Sequence, residues 1–245
     1  MSQYKNLSNI YDNLIYEDID YQEISEFIME SAKDQNLKYE KYLDLATGTG
    51  NVAAYISKNF KESFLVDLSE EMLTEAGEKV RKNRGNVKIV LQDMRYLSLN
   101  RKFNLITCVL DSTNYLLCPE DLKLYFSGVY DHLEDEGIFI FDINSSYKIK
   151  EILGNNIYNY NTDDIFYSWE NYLEDNIVDM ELTFFVKEGE LYRRFEEYHR
   201  ERAYEEKEIE EIVSSVGFEV IGKYDNYTEN LVIPTSERIV YILKK

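Results

Sequence analysis

The chain has 245 residues and a formal net charge of −20, with 44% of residues hydrophobic and 30% charged. That is the composition of a globular protein, long enough for one large domain or one domain with a cap. The acidity offers no basic surface to a nucleic-acid backbone or an anionic membrane, so neither is expected as a partner.

The opening stretch, residues 1–21, carries several acids and lacks the apolar segment of a secretory signal. No later apolar run approaches the roughly 20 residues that cross a bilayer. A cytoplasmic protein is therefore expected. From residue 41 the pattern alternates. "KYLDLA" (41–46) reads as strand and "NVAAYISKNF" (51–60) as helix; "SFLVDLS" (63–69) is strand, and Ser69 is placed to cap a helix over 70–83. Strands follow at 87–93 and 103–112, then a helix over 119–133 with Pro119 in its first turn, then a strand over 137–144. Continuous apolar runs separated by helices predict a parallel sheet buried on both faces.

Between residues 145 and 202 the rhythm changes. Val178, Met180, Leu182, Phe184 and Val186 alternate with mostly polar neighbours, and Asp175-Asn176 and Gly189 mark turns on either side. A three-stranded antiparallel meander is expected, either a lid over the first part or an extension of its sheet. A helix over 205–217, closed by Gly217, precedes "FEVIGKYD" and "ERIVYILKK", which have no helix between them and read as an antiparallel pair. Cys108 lies in an apolar run, where a reduced buried thiol is the default, and with Cys118 it frames neither a disulfide scaffold nor a metal site.

The most informative stretch is "YLDLATGTGNVA" (42–53), a strand that stops in a glycine turn and starts a helix. Gly48-x-Gly50-x-x-Ala53, with Asp67 ending the next strand, satisfies the dinucleotide fingerprint of an NAD-dependent oxidoreductase. The same arrangement holds S-adenosylmethionine, and Asp44 separates the two readings. An unpaired carboxylate there repels a pyrophosphate by roughly several kcal/mol if poorly solvated, and attracts an ammonium or sulfonium group. Asp44, Asp67, Asp93 and Asp111 all fall at the carboxyl ends of strands, the edge at which open α/β sheets bind ligands. Asp93 ends the third strand within reach of an adenine amino group, with Met94 beside the ring. Charge thus favours a cationic methyl donor.

"LDLATGTG", "VDLSEEML", "QDM", "CVLDSTNYL" and "GIFIFDIN" occur in this order, and together they resemble the ordered motifs of the class I S-adenosylmethionine-dependent methyltransferases. "YDNLIYEDIDY" and the inserted meander resemble a bacterial small-molecule subgroup similar to glycine and amino-sugar N-methyltransferases. The resemblance covers nearly the whole chain. It implies an α/β, Rossmann-like fold with a mostly parallel seven-stranded sheet, formed by residues 1–144 and 203–245, and an inserted antiparallel β lid over 145–202. It implies that Asp44, Ala46, Gly48 and Gly50 cradle the methionyl part of the donor. By the same resemblance Asp67 and Leu68 hold the ribose, Met72 borders the adenosine, Asp93 and Met94 hold the adenine, and Asp111 lies beside the methionine tail. Thr47 stands where the subgroup usually has cysteine, and "EDEGI" replaces its common Pro-Gly-Gly turn; neither touches the donor chemistry.

Because a sulfonium methyl is already activated, catalysis needs chiefly an in-line approach of the acceptor, with a general base where a proton must leave. Tyr11, in the segment that by resemblance folds over the donor, either faces the methyl group or packs that segment onto the core; Tyr16 and Tyr21 pose the same choice. Asn114 and Tyr115, on the loop after the fourth strand, either touch donor or acceptor or serve the turn and its packing. His199 offers a base and Arg202 a carboxylate clamp, against the reading that "EYHRERAY" is a run of surface ion pairs. His132 reads as a helix C-terminal partner and Trp169 as lid core. The expected activity is methyl transfer to a nitrogen or oxygen of a small-molecule acceptor, nitrogen being preferred from the resemblance alone. The rival readings are the oxidoreductase and a donor-binding protein without turnover. Nothing in the sequence fixes the oligomeric state.

Overall fold

The computed structural model describes residues 19–81 and 86–245. Its first described helix, α1 (Tyr21–Asp34), starts where the Asp20 carboxylate accepts the backbone N–H groups of Gln22 and Glu23. It buries Tyr21, Ile24, Ile28 and Ala32 at helical spacing. This helix adds to the elements expected from the sequence, in which its cap and apolar spacing are both visible. The alternation then runs through β1 (Lys41–Leu45), α2 (Asn51–Ile56), β2 (Glu62–Asp67), α3 (Glu70–Arg81), β3 (Val87–Leu91), β4 (Phe103–Cys108), α4 (Pro119–His132) and β5 (Leu133–Asn144). After an inserted sheet it resumes with α5 (Glu206–Val216), β10 (Glu219–Asp225) and β11 (Arg238–Lys244).

These strands form one seven-stranded sheet in the order β10-β11-β5-β4-β1-β2-β3. β1 to β5 are parallel, and β11 runs antiparallel between β5 and β10. The expected terminal antiparallel pair is thus present, with its last strand wedged inward. The sheet is apolar on both faces. Phe126, Phe139, Phe141 and Tyr241 pack on one side, and Ile28, Ile56, Leu65 and Val240 on the other. The strand order reverses between β1 and β4, so their carboxyl ends open side by side at the switch point where such sheets bind ligands.

The inserted sheet has four strands rather than the expected three: β6 (Ile157–Asn161), β7 (Ile165–Glu174), β8 (Ile177–Glu188) and β9 (Leu191–Arg202). β6 alternates aromatic residues with asparagine and is largely exposed on both faces, so it carries no buried stripe to read. Before it, Lys148–Leu153 form a π-helical turn whose Ile149 and Leu153 pack with Val178, Met180 and Ala203.

One close approach fixes the glycine turn. Gly50 has φ +77°, and a Cβ there would lie 2.8 Å from Ala76 Cβ and 2.9 Å from Ala76 Cα on α3. The left-handed backbone and the crowding act together. Gly50→Ala is expected to lower stability by about 2–4 kcal/mol, measured by urea denaturation.

Candidate functional site

Asp44, next to last in β1, is 2% exposed. Its Oδ2 accepts the Thr47 hydroxyl at 2.6 Å and its Oδ1 accepts the Thr107 hydroxyl at 2.5 Å. Among the described residues no cation pairs with it, and burial pushes its carboxyl up to about 6. Asp67, at the end of β2, accepts the Gly48 N–H at 2.8 Å and the Ser69 N–H at 2.9 Å. Those bonds leave about half of its acceptor positions for a ligand hydroxyl. Between the two acids the chain turns through left-handed Ala46 (φ 51°), Gly48 (φ 54°) and Gly50. A Cβ on Gly48 would meet nothing within 4 Å, so the turn opens onto free space. Leu68, beside Asp67, is 68% exposed. Space over the turn and two carboxylates without ion pairs suit a cationic nucleoside and disfavour a pyrophosphate.

Of the four strand-terminal acids, Asp93 and Asp111 are held in ion pairs. Asp93 is gripped by the Arg95 guanidinium, with Arg95 Nη2 at 2.6 Å and Nε at 3.0 Å, and it caps the turn Met94–Tyr96. Arg95, chiefly through its hydrogen bonds, holds that carboxyl below its ordinary value, and it also reaches Asp121 at 2.8 Å. Met94 lies half-buried beside Cys108, with sulfur atoms 4.0 Å apart, while Met72 sits half-buried in the first turn of α3. Asp111 accepts Arg238 at 2.7 Å, and its N–H donates to Asp142 at 2.7 Å. Leu110 and Asp111 are both left-handed, with φ 60° and 56°. Arg238 stands 127 positions from Asp111, beyond any local reading of the sequence.

Among the described residues, a cavity of about 1030 Å³ lies between the second sheet and the carboxyl edge of the first. Leu110, Asp111 and Tyr115 line it from the edge beyond β4, and Trp169, His199 and Glu201 from the second sheet. Asp44, Asp67 and Asp93 do not line it, whereas Leu110 and Asp111, just beyond β4 and beside the strand that carries Asp44, do. Tyr11 and Tyr16 lie outside the described residues, whereas Tyr21 lines the cavity from the start of α1.

Two of the sequence-derived candidates meet. His199 Nδ1 is 3.0 Å from the Tyr115 hydroxyl, and its Nε2 is 3.1 Å from Glu197 Oε2. Two others are taken up by the chain. Asn114 is wholly buried; its amide donates to the Asn144 and Arg202 carbonyls at 3.0 and 2.9 Å and accepts the Asn144 N–H at 2.9 Å. Arg202 does not line the cavity. It reaches Glu208 at 3.2 Å and the Leu117 carbonyl at 3.4 Å, and lies over the Tyr204 ring. Trp169, read as lid core, lines the cavity, and its Nε1 is buried without a partner among the described residues. His132 bridges the Leu99 N–H and the Gly128 carbonyl and does not line the cavity.

The residue that sequence reasoning missed is Glu201. It is 3% exposed, lines the cavity, and accepts Asn144 Nδ2 at Oε2, 2.8 Å away. Burial first, then the Asp111 charge, push its carboxyl up to about 8. Lys148 Nζ donates to Asn144 Oδ1 at 3.0 Å, and burial draws that ammonium below its ordinary value. The signal was strand parity. Phe195, Glu197, His199 and Glu201 share one face of β9, opposite the exposed Glu196, Tyr198 and Arg200.

Comparison with known proteins agrees with this geometry. Residues 43–137 match a family model described as a methyltransferase domain. A protein of Geobacillus sp. (strain WCH70), named as a candidate methyltransferase, is 32% identical over 99% of both chains. The crystal structure of an S-adenosylmethionine-dependent methyltransferase from Clostridium acetobutylicum is similar at 47% identity and a TM-score of 0.94, over 98% of each chain. The dTDP-3-amino-3,4,6-trideoxy-α-D-glucopyranose N,N-dimethyltransferase of Streptomyces venezuelae is 30% identical over about half of each chain.

Removing the Asn114 amide strands the Asn144 N–H in a buried setting and unties the carbonyls at both ends of the insertion. Asn114→Ala is expected to cost about 2–4 kcal/mol in denaturant unfolding. It should also raise amide hydrogen exchange at Asn144 and Ala203.

Proposed function

The chain belongs to the S-adenosylmethionine-dependent methyltransferases, and on that footing we propose that it methylates a nitrogen of a small amine-bearing metabolite held in the 1030 Å³ cavity. With the family established, the dinucleotide reading of the glycine turn and the reading without turnover are set aside. The observation that carries the proposal is the sign of the cavity wall. Asp20, Glu23, Asp111, Asp225 and Glu237 face it against Lys148 and Arg238, and Arg238 is already paired with Asp111 and Asp142. An acidic wall with aromatic surface at Trp169 and Phe184 attracts ammonium groups and repels phosphates and carboxylates. The Streptomyces venezuelae relative is named for methylating an amino group, which supports nitrogen; the acidity here points to an acceptor without its diphosphate.

When bound, S-adenosylmethionine supplies a methyl group on a positively charged sulfur that an acceptor lone pair displaces. The residues of this chain bind and orient. Asp44 meets the ammonium of the methionyl tail, Ala46, Gly48 and Gly50 leave room for that tail, and Asp67 accepts the ribose hydroxyls. Leu68 and Met72 border the nucleoside, while Met94 and the capped Asp93 bound the adenine side. Tyr115, steadied by His199 and Glu197 of the inserted sheet, sets the position of the acceptor from the edge beyond β4. Orientation of this kind can supply roughly 7–11 kcal/mol of the barrier, so no catalytic triad is required.

A screen of propylamine, ethanolamine and glucosamine against catechol, followed by release of S-adenosylhomocysteine, tests the acceptor class. Turnover of one or more amines is expected, and methylation of catechol alone would overturn the nitrogen reading. The donor arm has a pH sign. Asp44 attracts the donor ammonium only when ionised, and its carboxyl sits at about 6. Affinity for S-adenosylhomocysteine is therefore expected to rise about tenfold from pH 5 to pH 7, in calorimetric titration, and to flatten in Asp44→Asn.

A further inference from the structure

Glu201 has no part in donor binding, yet its surroundings are those of a working group. It is one of the few carboxylates buried among the described residues, and it faces a cavity rather than a packed core. One oxygen, Oε2, is held by Asn144; the other, Oε1, has no hydrogen-bond partner among the described residues. Asn144 is itself fixed, since its N–H and carbonyl are both bonded to the Asn114 amide and its side-chain oxygen accepts Lys148. The carboxyl therefore has a set direction and one unused oxygen. The charged groups acting on it from neighbouring elements are Asp111 beyond β4, Lys148 on the π-helical turn and Arg238 on β11; His199 shares its own strand face, and Glu237 lies on the wall before β11. No arginine or lysine forms an ion pair with it among the described residues.

An amine reaches the protein as an ammonium ion, which has no lone pair and cannot displace a methyl group. We propose that Glu201 is the catalytic residue that receives this proton at Oε1, with Asn144 as the positioning residue that aims it. This rests on the reading of the acceptor as an amine. The N–H bond breaks and its electron pair stays on nitrogen; the proton forms an O–H bond on Glu201. The freed lone pair then takes the methyl carbon, and the carbon–sulfur pair departs on sulfur. Burial drives the first step. In a poorly solvated pocket an ammonium–carboxylate pair gains less from hydration than in water, so the neutral acid beside a neutral amine is favoured. The same desolvation that pushes the Glu201 carboxyl to about 8 thus exposes the nucleophile. The proton leaves to solvent when product departs.

The single tryptophan of the chain, Trp169, lines this cavity and reports its occupancy by fluorescence. The probe is methylammonium chloride, titrated into the full chain with the donor site saturated by S-adenosylhomocysteine so that Asp44 is covered. Below its titration Glu201 must release its proton to pair with the cation. Methylammonium affinity is therefore expected to rise about tenfold between pH 7 and pH 9, from the value of about 8. Glu201→Gln should bind weakly with a flat profile, and Glu201→Asp should keep a rise. Wild-type affinity that is flat with pH overturns the proposal whether or not the glutamine variant folds, and so does a rise that survives in a folded Glu201→Gln. If amines turn over while methylammonium binding is flat, Glu201 alone is excluded. If only hydroxyl acceptors turn over, the amine reading is what fails.

Discussion

The buried carboxylate of Asp142 organises the carboxyl edge of the main sheet. It accepts the Asp111 N–H at 2.7 Å, the Tyr227 hydroxyl at 2.6 Å and Arg238 Nη1 at 2.6 Å. Left alone, such a group would cost several kcal/mol by desolvation. Paired on all sides, it ties the end of β4, the loop after β10 and the start of β11 to β5. This network also holds Leu110 and Asp111 in left-handed conformations that otherwise cost about 1–3 kcal/mol each. The turn so pinned forms part of the cavity wall, while β4 itself lies beside β1, the strand that carries Asp44.

Two carboxyls are raised by burial, and their partners separate their roles. Asp44 has a hydroxyl on each oxygen, one from its own turn and one from β4, so its orientation is fully determined. Glu201 has one oxygen held and the other open to the cavity. The first arrangement suits standing charge complementarity to a bound cation. The second suits a group that changes its protonation during a cycle. Of the other acids at this edge, Asp93 is paired with Arg95, while Asp111 and Asp142 share Arg238.

How much of this is legible in the sequence follows from the range of the interactions. Continuous apolar runs locate β1, β2, β4 and β5, which are buried on both faces, and a period of 2 locates β8, which is buried on one. Both signals fail for β6, whose tyrosines and asparagines are exposed on both sides, and for the π-helical turn, which has no repeat to show. In the site, Asp67 is readable because its partners are backbone groups near it, and Asp44 because Thr47 of the glycine turn is one of its two partners; the other, Thr107, comes from β4. Asp111 and Asp142 are not, because Arg238 arrives from the last strand. Glu201 sits among alternating charges that look like solvated ion pairs, and half of them are: Arg200 pairs with Asp179 and Arg194 with Glu196 on the outer face. The other half turn inward, and only the parity set by Phe195 tells them apart.

The Asn114 amide donates to the carbonyl of Asn144 and to that of Arg202, the residues at which the chain leaves the main sheet and comes back to it. The two junctions of the second sheet are therefore a side chain's width apart. A segment joined to its host at two adjacent points behaves as a cassette: its length and pattern can change without moving the strands that carry the glycine turn. If, as proposed, this segment shapes the acceptor pocket, acceptor preference would be exchangeable as a unit, by grafting one such segment for another across a single asparagine. The same pinning denies the segment a hinge at its base, so any movement over the acceptor must come from bending within its long β7–β9 ribbon.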